Sequence, residues 1–219
     1  MNRRAFLQWT AGALCEHSGR YRPNLQTQHL IFIVPSGARK KDYYENAWLA
    51  PNIRRIARGG YVFEEDHCEQ VSSHDDAFAE LVFGIRGYRQ VGSLRAIPQV
   101  MEHHQPRILI CRELSHDVGH DGFSQYLSAV KRTDAEIGVM FDWVKSHPYF
   151  ANNTAIVIRP DFGRDDEINA SGELHHSTGF YCAHRVASIF WGPDFSRGTD
   201  SKTVVNSLDM APTLMSLFD

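Results

Sequence analysis

Asp117 and His120 stand three residues apart in SHDVGH, and a second group of imidazoles, His175-His176, lies in the glycine-flanked stretch GELHHSTGF. A further carboxylate, Asp161, follows the β-branched run 154–158 in TAIVIRPDFGRD. One carboxylate and two imidazoles drawn from separate loops form a plausible zinc set, because zinc accepts nitrogen and oxygen donors in tetrahedral sites of three or four protein ligands. Asp161 invites a metal or a polar substrate as well, yet its neighbour Phe162 can coordinate nothing. Taken singly, each residue suits a turn or a helix cap equally well, and Asp117 is placed to cap the helix after it. The chain carries 12 histidines, more than its packing needs, with further groups at His103-His104 and His116.

Residues so spaced need a frame to bring them together. HLIFIV (29–34), YVFEED (61–66), ILIC (108–111), TAIVI (154–158) and VASIFW (186–191) read as strands, and the second-last is apolar on both faces. Helices alternate with them. Pro51 opens one that stops at Gly59-Gly60, another runs from Asp75 to Phe83, and the longest covers Phe123 to Lys145 with Tyr126, Val130, Ile137 and Phe141 on one stripe. The closing LDMAPTLMSLF has Asp209 as its expected N-cap and Pro212 in its first turn. This alternation predicts an α/β fold, a mostly parallel central sheet with helices on both faces. Pro35-Ser36-Gly37, residues 115–120 and Asp161 each follow a strand, so they converge on the carboxyl edge where open α/β sheets bind ligands.

Composition frames the function. A chain of 219 residues with net charge −3 has no general attraction for nucleic acid, and none is expected as a partner. Four scattered cysteines give neither a disulfide framework nor a C-x-x-C site, and Cys111 reads as an inert core thiol. The N-terminal MNRRAFLQWTAGALC, with Arg3-Arg4 before a short apolar stretch, looks like a twin-arginine address read by an export receptor. Residues 1–28 are therefore taken as a signal or anchor, able to associate peripherally with a membrane, and 29–219 as the domain.

Over residues 29–218 the chain resembles the alkaline phosphatase and sulfatase superfamily. IFIVPSGAR, LAPNIRRIARGGYVFEEDHC, HDDAFAELVFG, DVGHDGFSQYLSAVKRTDAEIG, PDFGRD, HHST and SLDMAPTLMSLF follow its order of features. The resemblance implies an alkaline phosphatase-like three-layer sandwich and two metal positions beside a nucleophile that together clamp a phosphate or sulfate ester. One position carries over as Asp117, His120 and His176 or His175, enough for one zinc. The other keeps Asp161 alone, since Pro35 or Ser36 replaces its first-strand carboxylate and Phe162 its histidine. The nucleophile position falls on His74, after Ser72 and Ser73.

The implied function is an extracytoplasmic, periplasmic pseudoenzyme with at most one metal, which binds or supports a protein partner. The alternative is a metal-dependent hydrolase in which His74 or Ser73 takes the nucleophile role.

Overall fold

A computed structural model describes residues 25–83, 94 and 97–218. The twin-arginine stretch, Cys15 and Gly84 lie outside the described residues. Seven strands form one sheet: β1 (His29–Pro35), β2 (Tyr61–His67), β3 (Ile108–Glu113), β4 (Thr154–Ile158), β5 (Arg185–Trp191), β6 (Gly198–Asp200) and β7 (Val205–Asn206). Their order is β3-β1-β4-β5-β2-β6, and β7 also pairs with β2. β1 runs parallel to β3 and β4, and β6 and β7 run parallel to β2. β5 alone runs antiparallel to both its neighbours, so the sheet is mostly parallel as expected. The carboxyl ends of β1, β2, β3 and β4 therefore share one edge.

Strand periodicity explains the three layers. Ile31 and Ile33 of β1 face one way, packing with Ile53 and Ile56 of α1 (Pro51–Gly59) and with Val130, Ile137 and Phe141 of α4 (Phe123–Ser146). Leu30, Phe32 and Val34 face the other way, against Phe78 and Leu81 of α2 (His74–Phe83) and Met210 and Leu214 of α6 (Ser207–Met215). Alternate residues of one strand thus bury two apolar faces. Two further α-helices are α3 (Ile97–His104) and α5 (Tyr181–His184). The start of α1 has no side-chain cap of its own. Asp134, buried on α4, accepts from the backbone N–H groups of Asn52 and Ile53 and so caps α1 from across the core.

Two details of the last helix differ from expectation. Its N-cap is Asn206, and Asp209 is the third helical residue whose side chain completes a capping box. Because the helix begins at Ser207, Pro212 lies inside it and not in its first turn. Asp117 likewise caps nothing: α4 starts after Gly122 without a side-chain cap.

Candidate metal centre

The first loop of the site follows β1, where Ser36-Gly37 turns the chain. Gly37 has φ of 67°, and a Cβ there would stand 2.9 Å from His74 Cε1, so glycine alone lets His74 come this close. The second loop is the 3₁₀ turn Ser115–His120 after β3. Side chains three apart eclipse in such a turn, which puts His120 Nε2 3.5 Å from Asp117 Oδ1. The third is the long connection from β4 to β5, carrying Asp161, Phe162, Arg164, His175 and His176. His74 is the first residue of α2. Ser73 precedes it, and its Oγ accepts from the N–H of Asp76 at 3.4 Å in the manner of a helix cap.

Arg164 binds these loops together. It is fully buried and donates to the carbonyls of Gly37, Leu174 and His116 at 2.7–2.8 Å. Gly119 makes room for it, since a Cβ there would meet the guanidinium carbon at 3.0 Å. Asp165 ties the far end by accepting from the N–H and hydroxyl of Ser177. The carboxylate and imidazoles are thereby held by a shared scaffold.

Within that scaffold the histidines follow one pattern. His74, Asp117 and His176 present ligand atoms within 4.8 Å of one another. Asp117 Oδ1 lies 3.2 Å from His74 Nε2, and His120 Nε2 lies 2.9 Å from His176 Nε2. Ligand atoms around a tetrahedral zinc with 2.0–2.1 Å bonds stand about 3.3 Å apart, so these separations fit an ion. The opposite nitrogens are tied to the protein. His74 Nδ1 meets Asp161 Oδ2 at 2.8 Å, His176 Nδ1 donates to the Val71 carbonyl at 2.6 Å, and His120 Nδ1 meets His175 Nδ1 at 2.8 Å. His175 Nε2 in turn reaches Glu173 Oε2 at 3.0 Å. Outer partners that fix ring and tautomer in this way are what metal-bound histidines require.

Proton bookkeeping supports the same fit. With neutral rings and no ion, His176 has only a lone pair at Nε2, because its proton is given to Val71. His120 must then donate from Nε2, accept at Nδ1 from His175, and leave a bare His175 nitrogen facing the Glu173 carboxylate. With an ion against Nε2 of His120 and His176, each contact gains one donor and one acceptor: His120 Nδ1–H to His175 and His175 Nε2–H to Glu173. The residues present therefore fit zinc. Bound there, it would supply positive charge joining the loop after β3, the start of α2 and the loop after β4.

Burial, and then the charge of Arg164, hold the His120 imidazole below its ordinary pKa, and burial lowers His176 to about 4. Neutral rings of this kind are the form that binds metal. Burial alone would raise the Asp161 carboxyl. Hydrogen bonds from His74 and from the N–H groups of Gly37 and Phe162 outweigh it and bring the pKa below the usual value.

Of the residues expected at the site, His74, Asp117 and His176 bring ligand atoms within 4.8 Å of one another, and His120 Nε2 stands beside two of them, 3.5 Å from Asp117 Oδ1 and 2.9 Å from His176 Nε2. Asp161 stands one layer out, with both oxygens committed to Gly37, Phe162 and His74. His175 also stands behind His120, so the choice between the adjacent imidazoles falls geometrically on His176. His116 is buried with Nδ1 unpartnered, and His103 and His104 are exposed on α3. Arg164 and Glu173 were not anticipated. An arginine in a loop normally reads as a solvent-facing charge, and only its recurrence with Arg159 around Asp161 hints at a buried role.

Phe162 is fully buried, and its ring stacks on His74 at 4.3 Å and 24°. It also lies 4.5 Å from the His176 ring. Near the first-strand position, Ser36 Oγ accepts from the buried Arg112, whose guanidinium also pairs with Asp75. The place that the resemblance implies for a second cation thus has Phe162 beside Asp161 and the Arg112–Asp75 ion pair beside Ser36.

A pH dependence follows from His116. Burial, then Arg164, lowers its pKa to about 3. The unfolded chain binds a proton near 6.5 and the folded chain does not, so stability is full above that value and drains as pH falls toward 3. In the presence of a chelator, His116 alone is expected to lower stability by about 2 kcal/mol between pH 7 and pH 5. Urea unfolding of the protein and of His116→Leu checks this: the variant should show the flatter dependence.

No protein-family model and no curated protein matches the chain by sequence. Solved structures do share its fold. A 2-O GAG sulfatase superposes with a TM-score of 0.69 at 12% identity, covering 87% of this chain and 70% of that one. The lipoteichoic acid synthase LtaP from Listeria monocytogenes gives 0.68 at 10% identity, covering 96% and 76%. A protein in the alkaline phosphatase superfamily from Vibrio parahaemolyticus gives 0.57 at 13% identity, covering 98% and 74%.

Proposed function

We propose that this chain, which has the fold of the alkaline phosphatase superfamily, is a metal-holding pseudoenzyme that serves as a binding or structural component outside the cytoplasm. One observation carries the proposal: His74, at the position that matches the family's nucleophile, is locked between Asp161 and Asp117 with Phe162 stacked on its ring. The side chain that should attack an ester is a fixed part of the donor cluster. The second metal position has no first-strand carboxylate and no histidine beside Asp161, and the Ser36 hydroxyl there is engaged by Arg112. A lone carboxylate does not hold zinc. The location outside the cytoplasm rests on Arg3-Arg4. No helix among the described residues is long and apolar enough to cross a membrane, and the peripheral membrane association we propose rests on the N-terminal segment.

A second reading has an observation of its own. A histidine oriented by a buried carboxylate at 2.8 Å also suits a one-metal hydrolase with His74 as nucleophile. Its Nε2, however, faces the same ligand atoms that would surround the ion.

Native mass spectrometry of the zinc-equilibrated protein tests the metal content. One zinc per chain is expected, lost on replacing His120 and His176 together by alanine. Two zinc ions per chain, or none, would contradict the proposal.

A further inference from the structure

We infer that His74 is itself a metal ligand, the fourth, and that it seals the centre formed with Asp117, His120 and His176. The inference rests on the metal reading above and goes beyond it, since three ligands would leave an open position and four would not. Structural zinc sites are closed by four protein groups, whereas catalytic ones keep a place for water or substrate.

Three observations carry it. First, His74 Nε2 lies 3.2 Å from Asp117 Oδ1, and His74, Asp117 and His176 each bring a ligand atom within 4.8 Å of the others. Second, its Nδ1 is held by Asp161 at 2.8 Å, the carboxylate–histidine arrangement that stands behind metal-bound histidines and, with an ion at Nε2, keeps the ring proton on Nδ1. Asp161, itself fully engaged by two backbone N–H groups, is built to orient His74 and not to bind an ion directly. Third, Phe162 stacks on the ring and Gly37 leaves space for its edge, so the imidazole has one seat. Phe162 and His74 then make sense as a pair. A phenyl ring in place of a ligand empties the outer position, and its face supports the imidazole that fills the inner one.

Cobalt(II) replacing zinc in the full chain reads the coordination directly, because four-coordinate cobalt absorbs visible light far more strongly than five- or six-coordinate cobalt. The unmodified protein should show intense visible bands that do not change on adding excess azide or inorganic phosphate. His74→Ala should bind cobalt more weakly by more than the roughly 10–100-fold that loss of an outer partner costs. Its bands should be weaker, respond to azide, and return toward the original spectrum on adding imidazole. Bands of the unmodified protein that shift with azide would overturn the inference while leaving the metal reading intact, and this arm stands whether or not the variant folds. A His74→Ala spectrum identical to the unmodified one would do the same. Failure of the unmodified protein to take up cobalt or zinc would overturn both.

Discussion

Replacing Asp66 by leucine while Arg159 stays in place is expected to destabilise the fold by about 3–5 kcal/mol. Both side chains are fully buried and joined at 2.7 Å and 3.0 Å, with the Ser188 hydroxyl also on Asp66. Removing the carboxylate strands a guanidinium in the core without its ion-pair partner. The same guanidinium donates to the carbonyls of Pro160 and Asp161, so the loop that positions His74 should loosen too. Replacing both residues, Asp66→Leu with Arg159→Met, should recover much of the loss, because a buried pair contributes little net stability once neither charge remains. Thermal unfolding followed by circular dichroism measures all three proteins. Equal losses in the single and double variants would show that the charge pair is not the cause.

Arg164→Met is expected to have an effect of similar size, felt at the centre as well as in the fold. Three buried carbonyls, of Gly37, Leu174 and His116, would lose their donor, at about 1–3 kcal/mol for each group left unsatisfied. Those carbonyls belong to the loops that carry His74's neighbour turn, His175-His176 and Asp117. Zinc affinity should therefore fall along with the unfolding temperature. Arg55→Ala is the contrast. Arg55 pairs with Asp142 at 2.7 Å on the surface, and such pairs are worth about 0–1 kcal/mol. A chelator competition beside thermal unfolding separates the two cases. An Arg164→Met protein with unaltered zinc affinity would contradict the role given to this residue.

Much of the frame was legible because the sequence repeats its signals. β4 is apolar on both faces and short, the helical stripe of α4 is long, and the loops between them carry the polar residues. The antiparallel direction of β5 was not legible, since VASIFW reads alike in either direction. β6 and β7, three and two residues long, are too short to show alternation and exist only because β2 offers them an edge. The offset at α6 arose because both Asn206 and Asp209 suit a cap, and only the geometry shows that Asn206 takes the cap and Asp209 answers from the third position. At the site, the order of strands and loops, together with the family resemblance, brought Asp117, His120 and a histidine of the 175–176 pair onto one edge. It could not choose between neighbours in an irregular loop, because that depends on how Arg164 and Asp165 hold the backbone. Nor could it show that His74 turns inward, which follows from Gly37, Asp161 and Phe162 acting together.

The most direct test of the account is turnover by the unmodified, zinc-loaded protein. The family's two-ion clamp stabilises the reacting oxygens by several kcal/mol, and here one ion is expected, with His74 held beside it. Hydrolysis of an aryl phosphate, an aryl phosphodiester and an aryl sulfate should proceed at the rate of the zinc-containing buffer, and His74→Ala should not change it. Multiple turnovers by the unmodified protein that disappear in His74→Ala would contradict the account and establish His74 as the working nucleophile of a one-metal hydrolase.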